Sequence, residues 1–230
     1  MTTDELNTHV KNLGISKDQI LREEAEMLFL NELAQSVLGS RVLFYGGTAL
    51  RLAYGSPRFS EDIDLLRIKP ILFSEYTRFM RGVVKKYPHW RITDIKDKRN
   101  TMFALFLITD EKLKHPFSIK VELHKPTVKP KEMAHLALIK SVVSVAEPLL
   151  LVPSLAQLKS FKDDALQGRN KARDVFDLWY IAQSMRTPFI EPKDGARYTR
   201  RSFTNELRVF LPRTYYPVID ELYERITKKD

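Results

Sequence analysis

The sequence predicts an α+β protein: strands and flanking helices up to about residue 152, then a helical domain over residues 153–230. Three observations carry this prediction. Short strand-like runs such as Val42–Tyr45 and Ile119–His124 alternate with helical stretches in the first two thirds. Residues 16–39 and 73–87 repeat apolar side chains at helical spacing. From Ser154 onward helical periodicity dominates, punctuated by Pro188, Pro192, Pro212 and Pro217.

The elements follow in order. Ser16 is an N-cap for a helix whose Ile20, Leu21, Met27, Leu28, Leu30, Leu33 and Val37 recur at helical spacing, with Gly39 as its stop. Val42–Tyr45 is a short buried strand ending at Gly46 and Gly47. Thr48–Tyr54 reads as a helix ended by Gly55, Ser56 and Pro57, and Asp62–Leu66 as a second strand. Residues 73–87 form an amphipathic helix. Trp90–Thr93 and Met102–Ile108 are strands with the charged KDKRN stretch between them. Ile119–His124 alternates, with Ile119, Val121 and Leu123 on one face and Lys120, Glu122 and His124 on the other. Leu149–Val152 is the last strand, before Pro153.

Composition narrows the chemistry. The 230 residues are 43% hydrophobic and 29% charged, enough for a core and a solvated surface. The absence of cysteine excludes disulfides, thiolate catalysis and Cys-ligated zinc. No apolar run approaches the roughly 20 residues of a membrane helix. The polar, acidic start MTTDELNTHV is no signal peptide. The expected location is the cytoplasm, with no membrane partner. The net charge of +9 suits a polyanionic partner, nucleic acid or a nucleoside triphosphate; a generic basic surface is the alternative.

The stretch FYGGTALRLAYGSPRFSEDIDLL, residues 44–66, is the most informative. Residues i and i+2 of a strand share a face, so Asp62 and Asp64 project together while Ile63 and Leu65 face the core. If the strand of Glu122 is a neighbour, three carboxylates converge into an oxygen-only site suited to Mg²⁺. Two such ions about 4 Å apart can clamp a triphosphate and activate a hydroxyl. A solvated acidic strand end is the alternative. Gly46, Gly47 and Thr48 lie where a strand hands over to a helix. There the backbone can approach phosphate, the helix N-terminus offers free N–H groups, and the Thr48 hydroxyl can add a donor. No Gly-Lys-Ser/Thr follows, so this is not a Walker A loop.

The order strand, GGT, helix, turn, R-x-S-x-D-x-D and a later strand carboxylate resembles the polymerase-beta type of nucleotidyltransferase. GGTALRLAYGSPRFSEDIDLL is similar to the AbiEii family of toxin nucleotidyltransferases, which includes the MenT toxins. LAQLKSFKDDALQGRNKARDVFDLWYI is similar to that family's later motif, with Lys162, Ala165, Leu166, Arg169, Arg173, Asp174 and Asp177 in step. The recognisable parts span residues 42–182.

The resemblance implies a mixed sheet with flanking helices and a role for each matching residue. Gly46, Gly47 and Thr48 would hold the triphosphate, and Asp62 and Asp64 the metal, Mg²⁺ with Mn²⁺ as the alternative ion. Glu122 would be a third metal ligand, an assignment resting on strand alternation. Arg58 and Ser60 would brace the loop or touch phosphate. Lys162 would reach the nucleotide phosphates, with Arg169 and Arg173 beside it. Asp174 would be catalytic or would fix Lys162 in place. The resemblance further implies a tRNA acceptor, a growth-inhibiting role and a neighbouring antitoxin.

Spacing adds partial support. On an unbroken helix Lys162, Arg169 and Arg173 would share a stripe, but Gly168-Arg169-Asn170 reads as a break. None of the five histidines has a zinc spacing; His124 shares the Glu122 face and could line the cleft, but reads rather as an edge residue. The run from Arg197 through Tyr198, Arg200 and Arg201 to Phe203 interleaves basic and aromatic residues. It is a candidate RNA platform, or else a helix start whose aromatics turn inward. The expected activity is therefore transfer of a nucleoside monophosphate from an NTP to a hydroxyl, at the 3′ end of tRNA. The alternatives are a small-molecule or protein acceptor, and a catalytically silent nucleic-acid binding module.

Overall fold

The computed structural model describes residues 1–125, 134–191 and 198–228. Its centre is a five-stranded mixed sheet in the order β1-β2-β5-β4-β3: β1 Val42–Tyr45, β2 Asp62–Arg67, β3 Trp90–Asp97, β4 Thr101–Ile108 and β5 Phe117–His124. Only β2 and β5 run parallel; the other neighbours are antiparallel. The register sets Asp62 opposite Lys120, Asp64 opposite Glu122, and Leu66 opposite His124. A second sheet pairs β6 Ala134–Leu138 with β7 Leu149–Pro153.

Helices α1 Thr3–Leu13, α2 Lys17–Ala34, α3 Gly46–Tyr54 and α4 Phe73–Lys86 accompany the sheet. Beyond β7 come α5 Leu155–Gly168, α6 Ala172–Met185, α7 Arg200–Phe210 and α8 Tyr216–Thr227. One apolar cluster draws on residues from Leu6 to Val152, with Phe29, Trp90 and Phe106 meeting edge to face. Another draws on residues from Ala172 to Ile226. Leu50, Leu158 and Ile181 pack together between them. Polar ties reinforce the junction: the Tyr180 hydroxyl donates to the Tyr54 carbonyl at 2.7 Å, and the Phe59 N–H to the Phe210 carbonyl at 2.8 Å.

Several elements differ from the sequence expectation, each for a physical reason. The helix expected over 16–39 stops at Ala34; the Ser36 hydroxyl donates to the Leu33 carbonyl, and Gly39–Arg41 form a 3₁₀ turn. Strand β3 extends past Thr93 to Asp97 because a bulge between Ile92 and Asp94 breaks its alternation. Helix α1, not expected from the sequence, has a short apolar stripe of Leu6, Val10 and Leu13, of which Leu6 alone is fully buried; a Thr2–Glu5 capping box and left-handed Gly14 bound it. Strand β6 is largely exposed and carries no alternation.

Candidate active site

The site begins with the pleat. On β2, Ile63 and Leu65 are buried in the core; on β5, so are Ile119, Val121 and Leu123. The residues between them therefore face the other way, and the parallel pairing of β2 with β5 sets their polar groups side by side. Candidate ligand atoms of Asp64, Glu122 and His124 all lie within 4.8 Å of one another. Lys120 Nζ lies 3.2 Å from Asp62 Oδ2 and 2.9 Å from Glu122 Oε2. Burial, and then the charge of Asp62, push the Asp64 carboxyl above its ordinary pKa. Such crowding of acids favours a bound cation. The donor set, rich in carboxylate oxygen, fits a hard divalent ion.

Beside this wall, β1 hands over to α3 at Tyr45, which gives no side-chain cap, so the first amides of α3 are left without one. Gly46 has φ 84°, and a Cβ there would overlap the Asp64 carboxylate. A Cβ on Gly47 would overlap the Arg58 guanidinium and stand 3.0 Å from Ser60 Oγ. The glycine pair thus makes room for its neighbours as well as for a close-lying ligand. Thr48 is a correction to the sequence reading. Its side chain is fully buried and its hydroxyl donates to the Asp62 carbonyl, tying α3 to β2, so the hydroxyl is committed inside the protein and only the backbone N–H remains for a phosphate.

The opposite wall comes from α5 and α6. Lys162 Nζ is held by Asp174 Oδ1 at 2.9 Å and Asp177 Oδ2 at 2.6 Å. Arg169 also grips Asp174, through Nε at 2.9 Å and Nη2 at 3.1 Å. Arg58 reaches Asp177 with both Nε and Nη2 and donates Nη1 to the Phe59 carbonyl at 2.8 Å. Both aspartates are fully buried. Burial alone would raise the Asp174 carboxyl, but Lys162 and Arg169 outweigh it and hold it down to about 2. The Asp177 carboxyl, equally opposed by burial, is lowered by Arg58 and Lys162. Asp174 stands behind Lys162, pairs with its ammonium, and is not among the residues lining the cleft.

Between the walls lies a cleft of about 370 Å³. Of the sequence-selected residues, Gly46, Gly47, Arg58, Ser60, Asp62, Asp64, Glu122, Lys162, Arg169 and Arg173 line it. The break at Gly168–Asn170 is real: α5 ends at Gly168 and α6 starts at Ala172, so the basic stripe is split across a turn. Arg173 leans over the Phe210 ring and sits 3.9 Å from Glu206.

Three residues escaped selection. Lys120 and His124 flank Glu122 on its own face of β5, and the i±2 rule was the signal for both. The edge placement of His124 is corrected, because β5 lies between β2 and β4 and the ring meets Tyr45 edge-on at 5.9 Å. Asp177 belonged to the later motif without a role; its burial between two cations supplies one.

Among the described residues of the basic-aromatic run, the aromatic rings of Tyr198 and Phe203 turn inward. Arg197 lies outside the described residues. Tyr198 is buried, donates its hydroxyl to the Lys171 carbonyl at 3.4 Å and meets Phe203 edge-on; its apolar ring belongs to the helical core. Arg200 pairs with Asp220 at 3.1 Å and Glu224 at 3.2 Å. Arg201 is exposed.

A family model described as nucleotidyl transferase AbiEii toxin, type IV TA system, matches residues 28–227. Among solved structures, the chain is similar to MenT4, a nucleotidyltransferase toxin of Mycobacterium tuberculosis. That likeness has a TM-score of 0.66 and 16% identity, covering 100% of this chain and 91% of that one. It is also similar to JHP933 of Helicobacter pylori, with a TM-score of 0.58 and 19% identity, covering 92% and 94%. At these identities the structural likeness establishes the fold. No curated protein sequence matches the chain.

Proposed function

The chain belongs to the AbiEii family of nucleotidyl transferase toxins of toxin–antitoxin systems, and from that premise we propose that it moves a nucleoside monophosphate from an NTP to the 3′-terminal hydroxyl of tRNA, with Mg²⁺ as cofactor. The observation that carries this reading is the cleft itself. A wall of carboxylates, Asp62, Asp64 and Glu122, faces a wall of cations, Lys162 and Arg169, beside the uncapped N-terminus of α3. Its volume suits a small-molecule ligand.

Asp62, Asp64 and Glu122 would hold the metal, with His124 adjoining. A bound Mg²⁺ supplies charge neutralisation for the triphosphate and a lowered pKa for the attacking hydroxyl. The α3 amides and Arg169 bind phosphate oxygens, and Lys162, fixed by Asp174 and Asp177, presents its ammonium to the same group. Positioning and electrostatics then do most of the catalysis, with no covalent step on the protein. The net charge of +9 supports a polyanionic acceptor. Action in the cytoplasm, where tRNA and a cognate antitoxin would be met, is part of the same reading. Among the described residues no helix is long and apolar enough to cross a membrane.

The test is incubation with total RNA and each labelled NTP in turn, with Asp64→Ala as control. Label at tRNA 3′ ends, absent with the variant, is the expected result. Label only on a protein or small hydroxylated compound overturns the acceptor; transfer by Asp64→Ala at the wild-type rate overturns the site.

A further inference from the structure

Lys120 has no task in the reaction outlined above, yet it stands inside the acidic wall. It lies directly opposite Asp62 in the β2–β5 register and two residues before Glu122. Its ammonium bridges these two carboxylates, at 3.2 Å and 2.9 Å. A cation shared by two carboxylate oxygens is what a divalent ion in this wall would also be, so ammonium and ion compete for the same oxygens. The tight ligand group comprises Asp64, Glu122 and His124; Lys120 touches this group through one oxygen, Oε2 of Glu122, and holds Asp62 outside it.

Charge counting points the same way. Asp62, Asp64 and Glu122 carry three negative charges and Lys120 returns one. One divalent ion balances the remainder. A second would leave an excess of positive charge in a half-buried cleft until a triphosphate arrives to offset it.

Resting on the nucleotidyl-transfer reading, we propose that Lys120 is an internal counter-cation that limits the free enzyme to one divalent ion, at Asp64, Glu122 and His124. It keeps Asp62 in reserve for a second ion that enters only with the phosphates of NTP. Lys120 is thus a positioning residue. It sets the order in which ions and nucleotide bind and spares the free protein the repulsion within its own acidic wall.

The experiment counts Mn²⁺ ions bound per chain in the absence of NTP, by electron paramagnetic resonance of the free ion. The wild type is expected to bind one, Lys120→Met two, and Lys120→Arg one. Thermal unfolding provides a readout independent of activity: without metal Lys120→Met melts below the wild type, and Mn²⁺ raises its Tm by more. Two ions on the wild type without NTP, or one on Lys120→Met at wild-type affinity, overturns the proposal. Asp64→Asn separates the two levels of inference. If it loses the ion while Lys120→Met matches the wild type, only the role of Lys120 falls. If it binds Mn²⁺ as the wild type does, the metal site itself is misread and the proposal falls with it. Should Lys120→Met fail to fold, the wild type still decides. One ion alone and two with a non-hydrolysable NTP supports the proposal, and an equal count in both states overturns it.

Discussion

Arg58 and Asp177 meet in the protein interior, Nε to Oδ1 at 2.6 Å and Nη2 to Oδ2 at 2.8 Å, although 119 residues separate them in the chain. Both are essentially sealed from solvent. Asp177 in turn holds Lys162. One two-pronged pair therefore joins the approach to β2 with α6 and sets the position of a lysine in the cleft.

Removing one partner of a buried ion pair costs about 3–5 kcal/mol, because the other charge is left uncompensated. Lys162 remains on Asp177, so Arg58→Met should sit near the lower end of that range in urea unfolding. Arg58→Lys should also lose stability, since an ammonium cannot reproduce the planar fork. Wild-type urea midpoints for both variants would show that the pair does not hold the two parts together.

Asp174 makes stability depend on acid. Its carboxyl has a folded-state pKa of about 2 against an ordinary 3.8. A lowered pKa contributes stability above the unfolded value, and that contribution disappears as pH falls from about 4 through 2. The difference of nearly two units corresponds to about 2 kcal/mol at neutral pH. Asp174→Asn should be less stable at pH 7 and should lose less stability between pH 4 and pH 2. Parallel acid-unfolding curves for wild type and variant would count against the arrangement.

Asp64 has the opposite sign. Its raised pKa means that its charge costs stability once pH exceeds the ordinary carboxylate range. Asp64→Asn should therefore melt at or above the wild-type temperature without metal at pH 7, while nucleotidyl transfer falls by a factor on the order of 10² or more. A lower Tm together with retained transfer would contradict both halves of this expectation.

Gly46→Ala tests the close approach of backbone and carboxylate. The substitution meets a positive φ of 84° and an overlap with Asp64. A stability loss of at least about 1 kcal/mol is expected, together with loss of transfer as Asp64 shifts. The Gly82→Ala control has open space around its Cβ and should leave transfer at the wild-type rate.

How far the sequence could be read depended on whether a residue's task leaves a periodic trace. Ile63, Leu65, Ile119, Val121 and Leu123 alternate because a sheet face must be apolar, and that alternation aims Asp62, Asp64 and Glu122 to the other side. Helix α1 left only a short trace, Leu6, Val10 and Leu13, because Leu6 alone of its residues is fully buried. Thr48 and Tyr198 looked like ligand-binding residues by type, and only three-dimensional packing reveals that both spend their hydroxyls on backbone carbonyls. Lys120 was visible on the Glu122 face, but its contact with Asp62 depends on the pairing of β2 with β5, which no local pattern announces.

That parallel pairing also bears on when a toxin becomes dangerous to the cell that is making it. Strand β2 cannot meet β5 until the intervening β3 and β4 have been synthesised, and Lys162 cannot be seated until α6 delivers Asp174 and Asp177. The β2–β5 pairing and the Arg58–Asp177 pair are remote in sequence, and such contacts form late. A ribosome-bound fragment ending before α6 carries both glycines, all three carboxylates and, once α5 is made, Lys162, yet it lacks Asp174 and Asp177, the two buried acids that seat that lysine. On the proposed mechanism, chains truncated between β5 and α6 should be inactive and tolerated when expressed without any antitoxin.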